Sequence, residues 1–308
     1  MGKPLRNTDP TVIRIITLRT SQAQLLMRPD SYVNETISGI LAKYQEQFNI
    51  TIYTHTFNSN HYHLLVQAPE QNLHLFEENV NREISKRINW HIDRKGSLWQ
   101  RRYDDLSCLD QDDILRAFLY VTCNPVSHGL VDHPKHWPGV NAYWQIINEK
   151  DCVCYFTNYT EYNKAKRKAQ AQGKSVCIND YKSEHILKLT PLPQFKDLTP
   201  KERKATLFSL IEKHVASIQK DRKERNLGFL GRQAILEQSP FDFPKNTKTS
   251  KRPLCYTNNQ VMWHEYRKQR KLWEAAYRIA SALFRQGEYN KAEFPLFSIK
   301  PPAHHIPL

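Results

Sequence analysis

The sequence predicts an α+β protein: a four-stranded antiparallel sheet with helices laid across it, followed by a mostly helical, basic C-terminal region. Three observations predict it. Short β-branched runs alternate with helical segments from residue 12 to residue 123. The apolar residues of those helical segments recur at spacings of three and four, which marks one buried face on each. Charge is divided between the halves: residues 1–154 hold 16 Lys+Arg against 17 Asp+Glu, and residues 155–308 hold 29 against 14. The net charge of +14 therefore comes from the second half.

The elements follow in order. Residues 12–18 are rich in Val, Ile and Thr and read as a strand. Residues 31–48 read as a helix with Val33, Ile37, Ile40, Leu41 and Tyr44 on its apolar face. Residues 49–57 form a second strand, Asn58-Ser59-Asn60 a turn, and residues 61–67 a third strand in a hairpin with the second. Residues 73–93 are a long helix whose stripe is Leu73, Phe76, Val80, Ile84 and Ile88. A fourth strand is expected within residues 97–108, then a helix over 110–123. Asp110 is its N-cap, Asp112 and Asp113 suit its first turn, and Pro125 stops it. The order is βαββαβ plus a helix, the ferredoxin-like pattern, with helices on one sheet face and the other face open for a site. Beyond it, residues 155–180 are polar and basic, and 184–192 suggest a short strand. Thr199-Pro200-Lys201-Glu202 is a capping box opening a helix over 199–226. A short helix over 232–238, a Pro/Ser/Thr/Lys-rich linker over 239–253, a long helix over 261–286 and a Pro-rich tail over 295–308 complete the chain. Two domains are expected, 1–150 and 151–308.

Composition narrows the function. No run of about 18 apolar residues occurs, so no membrane-spanning helix is expected. The N-terminal residues lack the apolar core of a signal peptide, and the expected location is cytoplasmic and nucleoid-associated. The six cysteines have no Cys-x-x-Cys spacing and read as reduced thiols. A basic excess confined to one half points to a polyanion, with nucleic acid favoured over a membrane surface.

The chemistry is concentrated in His61-Tyr62-His63. Alternate side chains of a strand share a face, so the two imidazoles lie side by side while Tyr62 points behind the sheet. Neutral imidazole is a common ligand of catalytic divalent metals, although two satisfied histidines on a half-polar strand give the same pattern. What distinguishes the readings is Tyr120 and Asn124, four apart on the helix that follows the fourth strand, which places a hydroxyl nucleophile and an amide oxygen on one helix face. Nitrogen and oxygen ligands together suit Mg²⁺ or Mn²⁺ with a phosphate substrate, and a tyrosine nucleophile makes a reversible covalent link to DNA. Arg101 and Arg102 are candidate phosphate contacts and Trp99 a candidate stacking platform for bases, against the plainer alternatives of surface charge beside Asp104 and Asp105 and of core packing. His74, His91, His128, His133 and His136 have no spacing that suggests a site, and His304-His305 reads as a tail feature.

These motifs, in this order, resemble a known family. His61-Tyr62-His63 is similar to the HUH signature. Tyr120 with Asn124-Pro125-Val126, Gly129-Leu130-Val131, Pro134 and Trp137-Pro138 resembles the single-tyrosine HUH transposases, and among them the REP-associated tyrosine transposases. Trp99-Gln100-Arg101-Arg102-Tyr103 resembles the same family's stretch before the last strand. The resemblance spans roughly residues 1–145. It implies His61, His63 and Asn124 as metal ligands and Tyr120 as the nucleophile, with cleavage and rejoining of single-stranded DNA near hairpins through a 5′-phosphotyrosine. The chain departs from the family at Asn58-Ser59-Asn60, where a Met-Pro-Asn run is common, and at Cys123, an unusual neighbour for Asn124. Segments 226–231, 251–255 and 294–295 are similar to the C-terminal extensions of longer relatives. The alternative is a domesticated transposase that binds DNA without cutting it. A homodimer is left open, because Tyr120 could serve its own metal site or a partner's.

Overall fold

A computed structural model describes residues 5–244 and 253–301. His304 and His305, and parts of the expected linker and tail, lie outside the described residues. The first half is β1 (Arg14–Arg19), α1 (Ser31–Gln47), β2 (Thr51–Phe57), β3 (His61–Gln67), α2 (Leu73–His91), β4 (Asp104–Ser107) and α3 (Gln111–Thr122). The four strands order as β2-β3-β1-β4, all neighbours antiparallel, which is the expected βαββαβ topology. The stripes expected on α1 and α2 are buried against Ile16, Leu18, Leu64 and Val66 on one sheet face. Tyr62 points to that face and is fully buried there. Asp110 caps α3 through the Asp113 backbone N–H, a contact worth about 1 kcal/mol.

Several expectations change. The other sheet face is not open. Phe118 and Val121 of α3 cover Ile13, Ile15, Tyr53 and Leu65, and two elements from later in the chain join them. These are α5 (Tyr143–Asn148) and α7 (Pro200–Glu224), the latter through Leu207, Ile211 and Val215. The fourth strand is only Asp104–Ser107, because Leu98 and Trp99 turn inward to pack on the first core instead of extending the ladder. Pro125 does not end helical structure. It occupies the first turn of a one-turn helix, α4 (Asn124–Ser127), where its missing N–H is tolerated. The carbonyl of Val121 that this N–H would have met instead accepts from Thr56 Oγ1 at 2.7 Å. Thr122 is tied to the same strand through Thr54 Oγ1 at 2.8 Å. The C-terminal turn of α3 is thus bolted to β2.

β5 (Cys152–Thr157) runs into the stretch over 155–180 read only as polar and basic, and α6 (Tyr159–Gln170) lies within it. β5 pairs antiparallel with β6 (Lys182–Leu187), which is shorter than the strand expected over 184–192. This hairpin places Cys154, Phe156 and Leu187 in the first core, against α1. Gly39 allows the approach, since a Cβ there would collide with the Tyr155 carbonyl oxygen. Both cores therefore contain residues from either side of position 150. The capping box on α7 forms as expected, and α8 (Arg232–Glu237) and α9 (Gln260–Arg285) follow. No helix among the described residues is long and apolar enough to cross a membrane.

Candidate active site

β3 delivers His61 and His63 to the α3 side of the sheet, and both are buried. Each ring is held from behind. Asn60 Nδ2 donates to the Ala23 carbonyl at 3.1 Å, which turns Asn60 Oδ1 toward His61 Nδ1 at 2.7 Å. An oxygen there can only accept, so His61 carries its proton on Nδ1 and presents a lone pair at Nε2. On the neighbouring strand Thr17 Oγ1 sits 2.7 Å from His63 Nδ1. Burial pushes the pKa of both rings down, that of His63 to about 3; His63 and His128 lower that of His61 further, and His128 lowers that of His63. Both imidazoles are neutral near pH 7, the state that ligates metals.

Asn124 reaches the same point from the start of α4. Its Oδ1 lies 3.1 Å from His61 Nε2 and also accepts from Asn58 Nδ2. The same Asn58 Nδ2 lies 3.0 Å from His61 Nε2, so one amide NH₂ donates to both the ring lone pair and the Asn124 oxygen, at the spot that the two acceptors face. Asn124 Nδ2 and Asn58 Oδ1 are buried there without partners, an arrangement that costs free energy until something joins it. The spacing suits a cation. Adjacent ligands of an octahedral ion at about 2.1 Å lie about 3 Å apart. No group of three His, Cys, Asp or Glu residues that could hold a metal occurs among the described residues, so a site here depends on the Asn124 amide.

Tyr120, half-buried one turn before Asn124, brings its hydroxyl to 3.4 Å from His63 Nε2, with ring centroids 5.1 Å apart. Burial raises its pKa, opposed by the nearby Asn124 side chain and the charge of Arg19. Four residues chosen from sequence, His61, His63, Tyr120 and Asn124, are thus brought together in one chain. Trp99, Arg101 and Arg102 are not. Trp99 packs edge-on against Tyr62, behind the sheet, and its indole N–H is bonded to the Asn81 carbonyl at 2.9 Å. Arg101 is paired with Asp104, and Arg102 lies near Arg6 and Tyr103.

Sequence reasoning missed His128, whose ring centroid is 5.0 Å from that of His61. The signal was present: Tyr120, Asn124 and His128 are spaced by four. It also missed Thr17, Arg19, Asn58 and Asn60, whose positions depend on strand register and side-chain bonding. The wall behind α4 comes from the C-terminal region. Leu230 and Gly231 donate backbone N–H groups to the Gly129 and Leu130 carbonyls at 2.9 Å each, and Ile235 packs on Val126, Val131 and Trp137. Gly129 has φ of +70°, a conformation that favours glycine, and the Arg222 guanidinium lies against its Cα.

Residues 12–122 match the family described as "Transposase IS200 like". Over 125 residues the chain is 26% identical to a Haemophilus influenzae protein assigned as a REP-associated tyrosine transposase, a match covering 36% of this chain and 71% of that one. Among solved structures it is similar to a REP-associated tyrosine transposase bound to a REP hairpin, at TM-score 0.39 and 19% identity, over 48% of this chain and 86% of the other. It is also similar to a Deinococcus radiodurans protein assigned as a transposase, at TM-score 0.29 and 17% identity, over 36% of this chain and 89% of the other. Residues 12–122 are thus similar to the IS200-like transposases, and the chain is similar over 125 residues to a REP-associated tyrosine transposase.

Proposed function

We propose that this protein is a metal-dependent endonuclease and strand transferase for single-stranded DNA, acting beside hairpin-forming repeats through a 5′-phosphotyrosine. The observation that carries the proposal is the clustering of two contacts, His61 Nε2 with Asn124 Oδ1 and His63 Nε2 with the Tyr120 hydroxyl, on neighbouring rings whose centroids lie 5.0 Å apart. His61, His63 and Asn124 would hold Mg²⁺ or Mn²⁺, which when bound supplies positive charge to a non-bridging oxygen of the scissile phosphate. Thr17 and Asn60 set the orientation of the two rings, as partners behind ligating histidines do. The Tyr120 oxygen bonds to phosphorus as the bond from phosphorus to the 3′-oxygen breaks. The phosphate stays on the tyrosine and the released strand ends in a 3′-hydroxyl. A 3′-hydroxyl reversing the attack rejoins DNA, because phenoxide is a better leaving group than an alkoxide. Burial raises the pKa of the Tyr120 hydroxyl, so the attacking oxygen must lose its proton as it bonds to phosphorus. A single chain contains every group this step uses.

The basic second half supports the choice of DNA. Lys164, Lys166, Arg167 and Lys168 of α6 are exposed, a row suited to phosphate contacts.

The test is incubation of the full chain with hairpin DNA carrying a single-stranded flank, with Mg²⁺ or Mn²⁺, followed by denaturing electrophoresis for a covalent adduct. The wild type forms the adduct, and Tyr120→Phe binds DNA but forms none. Hairpin binding without cleavage under any divalent metal would favour a DNA-binding protein that has lost turnover. Cleavage surviving Tyr120→Phe would point to hydrolysis without a covalent intermediate. Either result overturns the proposal.

A further inference from the structure

Arg19 ends β1 directly opposite His61, as Thr17 stands opposite His63. Cross-strand partners project from the same face of an antiparallel pair. The 2.7 Å contact of Thr17 Oγ1 with His63 identifies that face as the one bearing the histidines. The positive charge of Arg19 is felt by His61, His63, His128 and Tyr120 alike, and disfavours the protonated form of each.

Three partly or fully buried arginines meet neutral oxygens: Arg6 the Tyr103 carbonyl, Arg14 the Ser107 hydroxyl and Arg222 the Gly228 carbonyl. Arg28, Arg87, Arg116 and Arg203 are also at least partly buried, and each meets a carboxylate: Asp30, Glu83, Asp113 and Glu149. Arg19 is half-buried too, yet among the described residues it has no carboxylate and no hydrogen-bond acceptor. The acidic side chain across from Thr17 on β4 is Asp104, and Arg101 holds it. The side chains that feel its charge are three imidazoles and a phenol, none of them an anion. A partly desolvated guanidinium without a counter-charge is costly, and what completes it is an anion arriving from outside.

We propose that Arg19 binds the scissile phosphate directly, its planar fork gripping the non-bridging oxygens from the β1 side while Tyr120 attacks from α3. This rests on the phosphotyrosine reading above. In the step itself the bond from the Tyr120 oxygen to phosphorus forms and the bond from phosphorus to the 3′-oxygen breaks. The phenolic proton ends, overall, on the departing 3′-hydroxyl. Negative charge on the non-bridging oxygens grows as the two apical bonds are exchanged, so a guanidinium there acts more strongly on the transition state than on bound DNA. Its loss should therefore appear in the rate of attack more than in affinity.

The experiment measures single-turnover adduct formation by the wild type, Arg19→Ala and Arg19→Lys on two otherwise identical hairpin substrates. One carries an ordinary scissile phosphate, and the other a neutral methylphosphonate. On the phosphate, Arg19→Ala is expected to slow the adduct by about 100- to 1,000-fold, the scale for removing one donor to developing charge. Arg19→Lys should recover part of that, since it keeps the charge but not the fork. On the methylphosphonate, which has no charge to stabilise, wild type and Arg19→Ala should react within about threefold of each other. Hairpin affinity and Mn²⁺ affinity, measured by titration calorimetry, should stay within about threefold throughout. An Arg19→Ala rate on phosphate within threefold of wild type overturns the role of Arg19. An equal slowing on both substrates does so as well, because it would mean that Arg19 merely supports the fold. A wild type that forms no Tyr120-dependent adduct overturns the underlying reading instead, and the role of Arg19 with it.

Discussion

Glu77 sets up a pH dependence that can be predicted in sign and size. It lies on α2 with its side chain fully buried, directly behind the histidine pair. Its Oε2 lies 2.7 Å from the Tyr62 hydroxyl and 2.9 Å from Asn81 Nδ2, and its Oε1 has no partner. The Tyr62 hydroxyl is also 2.8 Å from Asn81 Oδ1, so one hydroxyl proton faces two acceptors. A proton on Glu77 removes the conflict: the carboxyl donates to Tyr62 and Tyr62 donates to Asn81. Burial raises the pKa of Glu77 from 4.5 to about 7. Between those two values the folded chain holds a proton that the unfolded chain has lost. Stability contributed by this site is therefore fully present below pH 4.5 and is lost as pH rises through 7. The rise corresponds to about 3 kcal/mol as an order of magnitude.

Glu77→Gln cannot ionise, so it should lose none of this. Urea unfolding of both proteins at pH 5, 6, 7 and 8 provides the assay. The difference between them is the quantity to follow, because buried His55, His61 and His63, whose pKa values are lowered, act in the opposite direction in both. Any fixed cost of the amide is the same at every pH and drops out of the slope. Glu77→Gln should gain on the wild type by about 2–3 kcal/mol from pH 5 to pH 8. A difference that stays flat within about 0.5 kcal/mol, or that falls, would refute the argument that Glu77 is neutral in the folded state.

Three further outcomes are expected. Asn124→Ala should weaken Mn²⁺ binding at least about tenfold by calorimetry, Asn124→Asp should keep it, and Tyr120→Phe should leave it unchanged, since only the first removes an oxygen ligand. Thr17→Val should lower metal affinity by about 10- to 100-fold with thermal unfolding little changed, because it frees the His63 ring from its partner. Replacing Lys164, Lys166, Arg167 and Lys168 together by Gln should flatten the salt dependence of DNA binding by up to about three in the log–log slope, read by fluorescence anisotropy across salt concentrations. Removing residues 155–308 outright would not test the same point, since Leu207, Ile211 and Val215 belong to the second core.

The amino-acid sequence alone determined the elements of the first half and singled out the candidate reacting groups. Periodicity is a local property, and the stripes on α1 and α2, the hairpin of β2 and β3 and the cap at Asp110 all follow from residues within a few positions of one another. The spacing of two on β3 and of four on α3 and α4 was enough to pair His61 with His63 and Tyr120 with Asn124. Tertiary structure decided what depends on residues far apart. The second core is completed by α7, which packs on α3, α4 and α5 from a segment tens of positions further along the chain, and no local pattern announces such a contact. β5 was hidden because it alternates only three inward residues against an exposed face, within a polar stretch. Pro125 reads as a stop, yet Thr56 satisfies the carbonyl it orphans and the chain continues into α4, which is what carries Asn124 to His61. Arg19 and Thr17 acquire meaning only from the register of β1 against β3. A shift of one residue would turn both to the opposite face, and that register is held by the packing of two cores rather than by any motif.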